Sequence, residues 1–91
     1  MKLYSESCER NQEPILKILQ EVLTKQQYVL EIASGTGQHA VYFGRALPHL
    51  SWQTSELTQK HESILSWLNG IKLPNVLPPV TINVNDVKWP V

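Results

Sequence analysis

The stretch VLEIASGTGQHA, Val29 to Ala40, decides how this chain folds. A short apolar run meets an acid, Glu31, then Gly35 and Gly37 spaced by one residue, then residues that suit a helix. β-Branched and apolar residues bounded by a glycine turn predict a strand over YVLEIA, Tyr28 to Ala33. Glycines at its end let the backbone take positive φ and approach another group closely. From Gly37 to Leu47 the pattern is helical, with Ala40, Val41, Phe43 and Leu47 apolar, and Pro48 ends it.

The same alternation extends in both directions. NQEPILKILQEVLTK (11–25) reads as a helix whose apolar face is Ile15, Leu16, Ile18, Leu19, Val22 and Leu23, with Pro14 in the first turn. LSWQTS (50–55) is a second strand, with Leu50 and Trp52 alternating against Ser51 and Gln53. TQKHESILSWLNG (58–70) is a third helix with an apolar face of Ile64, Leu65 and Leu68. Thr58 suits its cap and Gly70 a left-handed terminator. PVTINVND (79–86) is a third strand, with Val80, Ile82 and Val84 alternating. The order α-β-α-β-α-β predicts an α/β fold with a parallel sheet and right-handed crossovers. Three such units make half of a doubly wound sheet. Residues 1–91 are therefore expected to form a single partial domain, the N-terminal half of a larger one.

Bulk properties narrow the function. Eight basic and eight acidic residues give zero formal net charge, which argues against a nucleic-acid footprint. The start, MKLYSESCER, has no apolar core of a secretory signal, and no apolar run approaches a membrane span. Cys8 is the sole cysteine, so no internal disulfide forms. A cytoplasmic setting is expected. His39, His49 and His61 show no metal-ligand spacing, so no metal is expected. Trp52, Trp67 and Trp89 read as packing residues.

A strand that delivers its carboxyl end into a glycine turn opening a helix makes a ligand site, because the helix start presents unpaired N–H groups. Ser34 and Thr36 add hydroxyls. Without a ligand the same pattern is a tight strand-to-helix turn. Glu56 lies about 20 residues beyond the glycines, where an acid grips ribose hydroxyls in nucleoside-binding α/β folds. By itself it reads more readily as a solvated acid near a helix start. NVND (83–86) supplies polar groups at a third strand end. Ligands of open α/β sheets bind at such ends. Gly35 to Ala40 formally satisfies the dinucleotide pattern G-x-G-x-x-G/A. Glu31 opposes that reading, since a carboxylate there repels a pyrophosphate. A cationic ligand such as S-adenosylmethionine reverses the sign. Gly37 is expected to leave room for that ligand, so that a side chain there costs affinity more than stability.

VLEIASGTGQH resembles motif I of class I S-adenosylmethionine-dependent methyltransferases, an acid followed by G-x-G-x-G, with Ala33 where the first glycine usually falls. CERNQEPIL, VLEIASGTGQHAVYF, LPHLSWQTSE and LPNVLPPVTINV resemble successive blocks of the methyltransferase-like protein 26 family, over nearly the whole chain. The resemblance implies the N-terminal half of a Rossmann-like fold, parallel strands in order 3-2-1, with S-adenosyl-L-methionine as methyl donor. It makes Glu31, Ser34, Gly35, Thr36 and Gly37 the methionine loop and Glu56 the ribose acid. Asn83 and Val84 stand at the adenine position, where relatives usually carry an aspartate and a small apolar residue. Arg10 and Asn11, before the first helix, become a cap over the ligand, or else ordinary helix capping. His39 reads as a satisfied histidine rather than a base.

The methyl acceptor is not legible, since the acceptor side would belong to the missing half. The rival readings are a half-domain for NAD or NADP and a non-catalytic remnant of the fold. With a fourth strand absent, YVLEIA would be an open apolar edge, and such edges template pairing with another chain. A homodimer through that edge is the partner expected, beside the small-molecule methyl donor.

Overall fold

Ser5 starts the first helix, earlier than the periodicity alone predicts. Its hydroxyl accepts from the Cys8 amide at 3.2 Å, and Glu6 and Glu9 place negative charge in the first turn. In the computed structural model, which describes residues 2–25, 27–71 and 73–83, helix α1 spans Glu6–Val22. Pro14 therefore lies inside the helix rather than in its first turn. It removes the N–H that would serve the Arg10 carbonyl. Both residues are exposed, so solvent can serve that carbonyl instead.

The remaining elements are β1 (Tyr28–Leu30), α2 (Gln38–Ala46), β2 (Ser51–Glu56), a 3₁₀ turn (Thr58–Lys60), α3 (His61–Asn69) and β3 (Val76–Thr81). They form one three-stranded sheet in the order β1-β2-β3, and both pairings are parallel. Read from β3, the order is 3-2-1. The expected α/β alternation is present in full. Among the described residues no helix is long and apolar enough to cross a membrane.

The core lies between the sheet and the helices. Ala40, Phe43 and Leu47 of the α2 segment meet Leu50, Trp52 and Val76, with the Phe43 and Trp52 rings 5.7 Å apart. Ile15, Leu16, Leu19 and Leu23 pack α1 onto this cluster from outside, and no residue of α1 is fully buried. A Cβ on Gly44 would come within 2.1 Å of the Val76 side chain, so α2 approaches β3 too closely for any larger residue. Asn75 fastens the same contact by donating to the carbonyls of Gly44 at 2.9 Å and Leu50 at 3.0 Å.

Several local expectations are corrected. β3 begins at Val76, before the predicted Pro79, and runs through Pro78 and Pro79. Neither proline can donate to a ladder, so a strand through both is unexpected. The register with β2 slips by one residue there: Gln53 faces Leu77, and Ser55 faces Val80. β2 supplies bonds from its side chains. Gln53 Nε2 donates to the Pro78 carbonyl at 2.6 Å, and Thr54 Oγ1 donates to the Leu77 carbonyl at 2.9 Å. Gln53 is thus buried, not the outward polar residue the alternation predicts. Thr58 opens the 3₁₀ turn instead of capping α3, and its hydroxyl meets that of Thr81 at 2.8 Å. Gly70 follows α3 with φ of −76°, so it is not a left-handed terminator. On α3 the inward residues are Ser63 and Ile64, while Leu65 is largely exposed.

Candidate functional site

The carboxyl end of β1 leaves the ladder through one extra residue. Glu31 N donates to the Gln53 carbonyl at 2.9 Å, and Ser34 N donates to the Ser55 carbonyl at 2.7 Å. Three steps along the first segment therefore match two along β2. Ala33 absorbs the excess with φ of 56°, in the left-handed region that alanine rarely adopts. The predicted strand to Ala33 is correspondingly shorter, ending at Leu30. The turn keeps a glycine-like conformation at Ala33, the position where the resembling motif carries glycine.

β2 braces the loop that follows. The Ser34 hydroxyl, buried, accepts from the Ser55 amide at 2.9 Å, and the Ser55 hydroxyl donates to the Glu31 carbonyl at 2.5 Å. Glu56, also buried, reaches back from the end of β2. Its Oε2 accepts from the Gly35 amide at 3.0 Å and its Oε1 from the Leu57 amide at 2.9 Å. It is not a solvated acid. The Glu31 carboxylate is half-buried and accepts from Trp52 Nε1 at 3.3 Å. Both carboxylates are thus held by neutral N–H donors, which orient the charge without neutralising it.

The two glycines differ in what surrounds them. Gly35 has φ of 62°, and nothing lies within 4 Å of where a Cβ would stand. Gly37 has φ of 94° and precedes α2, but a Cβ there would sit 2.9 Å from Ile64 Cα. The expectation that Gly37 makes room for a ligand is therefore corrected. Its missing side chain admits α3, whereas the open space is at Gly35. Thr36 Oγ1 accepts from the Gln38 amide at 3.1 Å and so caps α2, and the Thr36 carbonyl accepts from Ser63 Oγ at 2.7 Å.

A cavity of about 390 Å³ opens on this loop, lined by Leu3, Gly35, Thr36, Gln59, Lys60, Glu62 and Ser63. That size suits a small molecule. The third strand end is tied to the second, because Ile82 N donates to the Glu56 carbonyl at 3.2 Å. Asn83 follows directly, half-buried. Val84 lies outside the described residues, as do the rest of NVND and Trp89.

Arg10 and Asn11 do not join this cluster. α1 starts at Glu6, which puts both within its body, exposed to solvent. Arg10 pairs with Glu6 at 4.0 Å and donates to Ser7 Oγ at 3.2 Å. Neither caps the helix, since Ser5 does. His39 Nε2 lies 3.3 Å from the Cys8 carbonyl and its ring 5.0 Å from that of Phe43, a satisfied packing position. Among the described residues no group of His, Cys, Asp and Glu could hold a metal ion. Tyr4 donates its hydroxyl to Glu9, and that bond holds the phenol above its ordinary value.

Sequence reasoning missed Ser55, Gln53 and Ser63. Their signal was a polar central strand, WQTSE, and a serine on the inward face of α3.

These features define a small α/β protein whose parallel strands deliver a glycine loop and a buried acid to their carboxyl ends. The family model described as "Protein of unknown function (DUF938)" matches residues 2–91, and the chain belongs to that family. No solved structure matches it.

Proposed function

We propose that this chain carries the methyl-donor half of a cytoplasmic S-adenosylmethionine-dependent methyltransferase with a Rossmann-like fold, allied to the methyltransferase-like protein 26 family. The observation that carries this reading is the bond from the Gly35 amide to Glu56 at 3.0 Å. It joins the glycine loop after one parallel strand to the acid ending the next, at the carboxyl ends of the strands, where open α/β sheets bind ligands.

The residues suit such a ligand. Each Glu56 oxygen accepts one amide and retains a further lone pair for a ribose hydroxyl. A carboxylate at Glu31 beside the loop favours an ammonium or sulfonium and opposes a pyrophosphate. Gly35 leaves open space for close approach. Asn83 offers an amide to an adenine edge in place of the usual aspartate. When bound, the donor would supply an electrophilic methyl group. The chain's part is to hold it in line with an acceptor, since displacement at a sulfonium rests largely on alignment.

Calorimetry on the full-length protein tests this. S-adenosylmethionine and S-adenosylhomocysteine should bind, and NAD should not. The opposite preference overturns the reading.

A further inference from the structure

Residues 2–5 precede α1 and belong to no helix or strand, yet they are tied down at each step. Lys2 Nζ stands 3.9 Å over the Trp67 ring. Leu3 N donates to Ser63 Oγ at 2.9 Å, and the Leu3 carbonyl accepts from Trp67 Nε1 at 2.6 Å. Ser5 N donates to Gln38 Oε1 at 2.8 Å. The segment thus crosses α3 and reaches the first turn of α2. Leu3 remains half-exposed, and the cavity beside the glycine loop is what it lines.

Ser63 is the junction. It is buried, and its single hydroxyl accepts from Leu3 and donates to the Thr36 carbonyl at 2.7 Å. A hydroxyl that donates to one segment and accepts from another couples their positions. Displacing residues 2–5 would leave one side of that hydroxyl without its partner.

We infer that residues 2–5 form a wall of the ligand site, with Leu3 against the ligand, and that Ser63 is the positioning residue holding this wall in register with the glycine loop. The inference rests on the methyl-donor reading and extends it. Arg10 and Asn11, the residues the sequence suggests for closing the site, face solvent instead. The segment before them takes that place. Leu3 contributes an apolar side chain to the cavity that Gly35 also lines, and Gln59 and Lys60 put polar groups at the same cavity. That pairing suits a ligand with an apolar portion and polar edges, so Leu3 would cover the part of an S-adenosyl compound that lies beside the glycine loop.

The test compares wild-type full-length protein with Leu3→Ala, Ser63→Ala and Ser63→Thr. Calorimetry with S-adenosylhomocysteine should give about tenfold weaker binding for Leu3→Ala and for Ser63→Ala, the scale of one lost contact or hydrogen bond. Ser63→Thr keeps the hydroxyl and should restore most of the affinity. Amide hydrogen exchange on the ligand-free proteins gives a second readout. Ser63→Ala should speed exchange at Gly35, Thr36 and Gly37, while Leu3→Ala, which keeps the backbone bonds, should not. Wild-type affinity in both alanine variants overturns the wall. Failure of wild-type protein to bind S-adenosylhomocysteine overturns the methyl-donor reading and, with it, the role of Leu3. Exchange then decides the coupling separately: acceleration in Ser63→Ala supports it, and unchanged rates overturn it.

Discussion

The Glu56 carboxylate and the Gly35 amide meet at 3.0 Å, 21 residues apart in sequence. The same carboxylate takes the Leu57 amide on its other oxygen. One buried side chain therefore sets the glycine loop and starts the turn into α3. Glu56→Gln should expose this dual role. Its amide nitrogen must face one of two N–H donors whichever way it turns. We expect a stability loss of about 1.5–3 kcal/mol, read by urea denaturation, together with weaker binding of S-adenosylhomocysteine. Unchanged stability would show that the carboxylate is not a brace.

Ala33 holds a conformation that suits glycine, at φ of 56° and exposed. A left-handed alanine is strained by roughly 1–2 kcal/mol, and glycine's extra unfolded-state freedom returns roughly 0.5–1 kcal/mol of that. Ala33→Gly should thus stabilise the protein by about 0.5–1 kcal/mol. A destabilised variant would mean that Ala33 does not occupy the left-handed region in solution.

Gly35 and Gly37 should respond to the same change to different degrees and in different readouts. A methyl on Gly37 collides with Ile64 backbone, so Gly37→Ala should cost about 2–4 kcal/mol, combining overpacking with positive-φ strain. A methyl on Gly35 meets nothing, so Gly35→Ala should cost only about 1–2 kcal/mol in strain and fall mainly on ligand affinity. Denaturation and calorimetry on both variants separate the two. Equal stability losses would contradict the packing described.

Gln53 Nε2 donates to the Thr54 carbonyl at 2.9 Å as well as to the Pro78 carbonyl at 2.6 Å, where Pro78 and Pro79 bring no N–H of their own. Gln53→Leu would leave the Pro78 carbonyl without that bond at the register slip. We expect a loss of about 1–3 kcal/mol. Faster amide exchange in residues 76–82 than elsewhere in the sheet would locate the damage.

The β1 edge opposite β2 has no strand beside it among the described residues. Tyr28 is 57% exposed there, and Ile18 and Val22 of α1 are each 60% exposed. A polypeptide of these 91 residues should self-associate at high concentration through this region. Light scattering should show Tyr28→Lys shifting it toward monomer. A wild-type monomer at all concentrations would rule the edge out as an interface.

The alternation of helix and strand was legible because it is written in periods of two and 3.6 residues, which neighbours along the chain set by themselves. The glycine turn after the first strand and the acid after the second were legible for the same reason: position relative to an element's end is local information. The start of α1 is also written locally, in Ser5 followed by Glu6, ahead of the apolar stripe. β3 is not. Pro78 and Pro79 argue against a strand locally, and only the side chains of Gln53 and Thr54, 25 and 23 residues away, make one possible.

The division of labour inside the loop was beyond local reading altogether. Gly35 and Gly37 are the same residue two positions apart, both with positive φ. One faces a cavity and the other faces Ile64, and which is which depends on where α3 lands. Likewise Glu56 reads as a solvated acid until β1 and β2 lie side by side and bring the Gly35 amide to it. Residues 2–5 carry no periodic pattern at all, and their place against the glycine loop exists only because Ser63 and Trp67 are buried or half-buried on α3. Contacts of this kind join segments about 20 to 60 residues apart, and no propensity or spacing rule spans that distance.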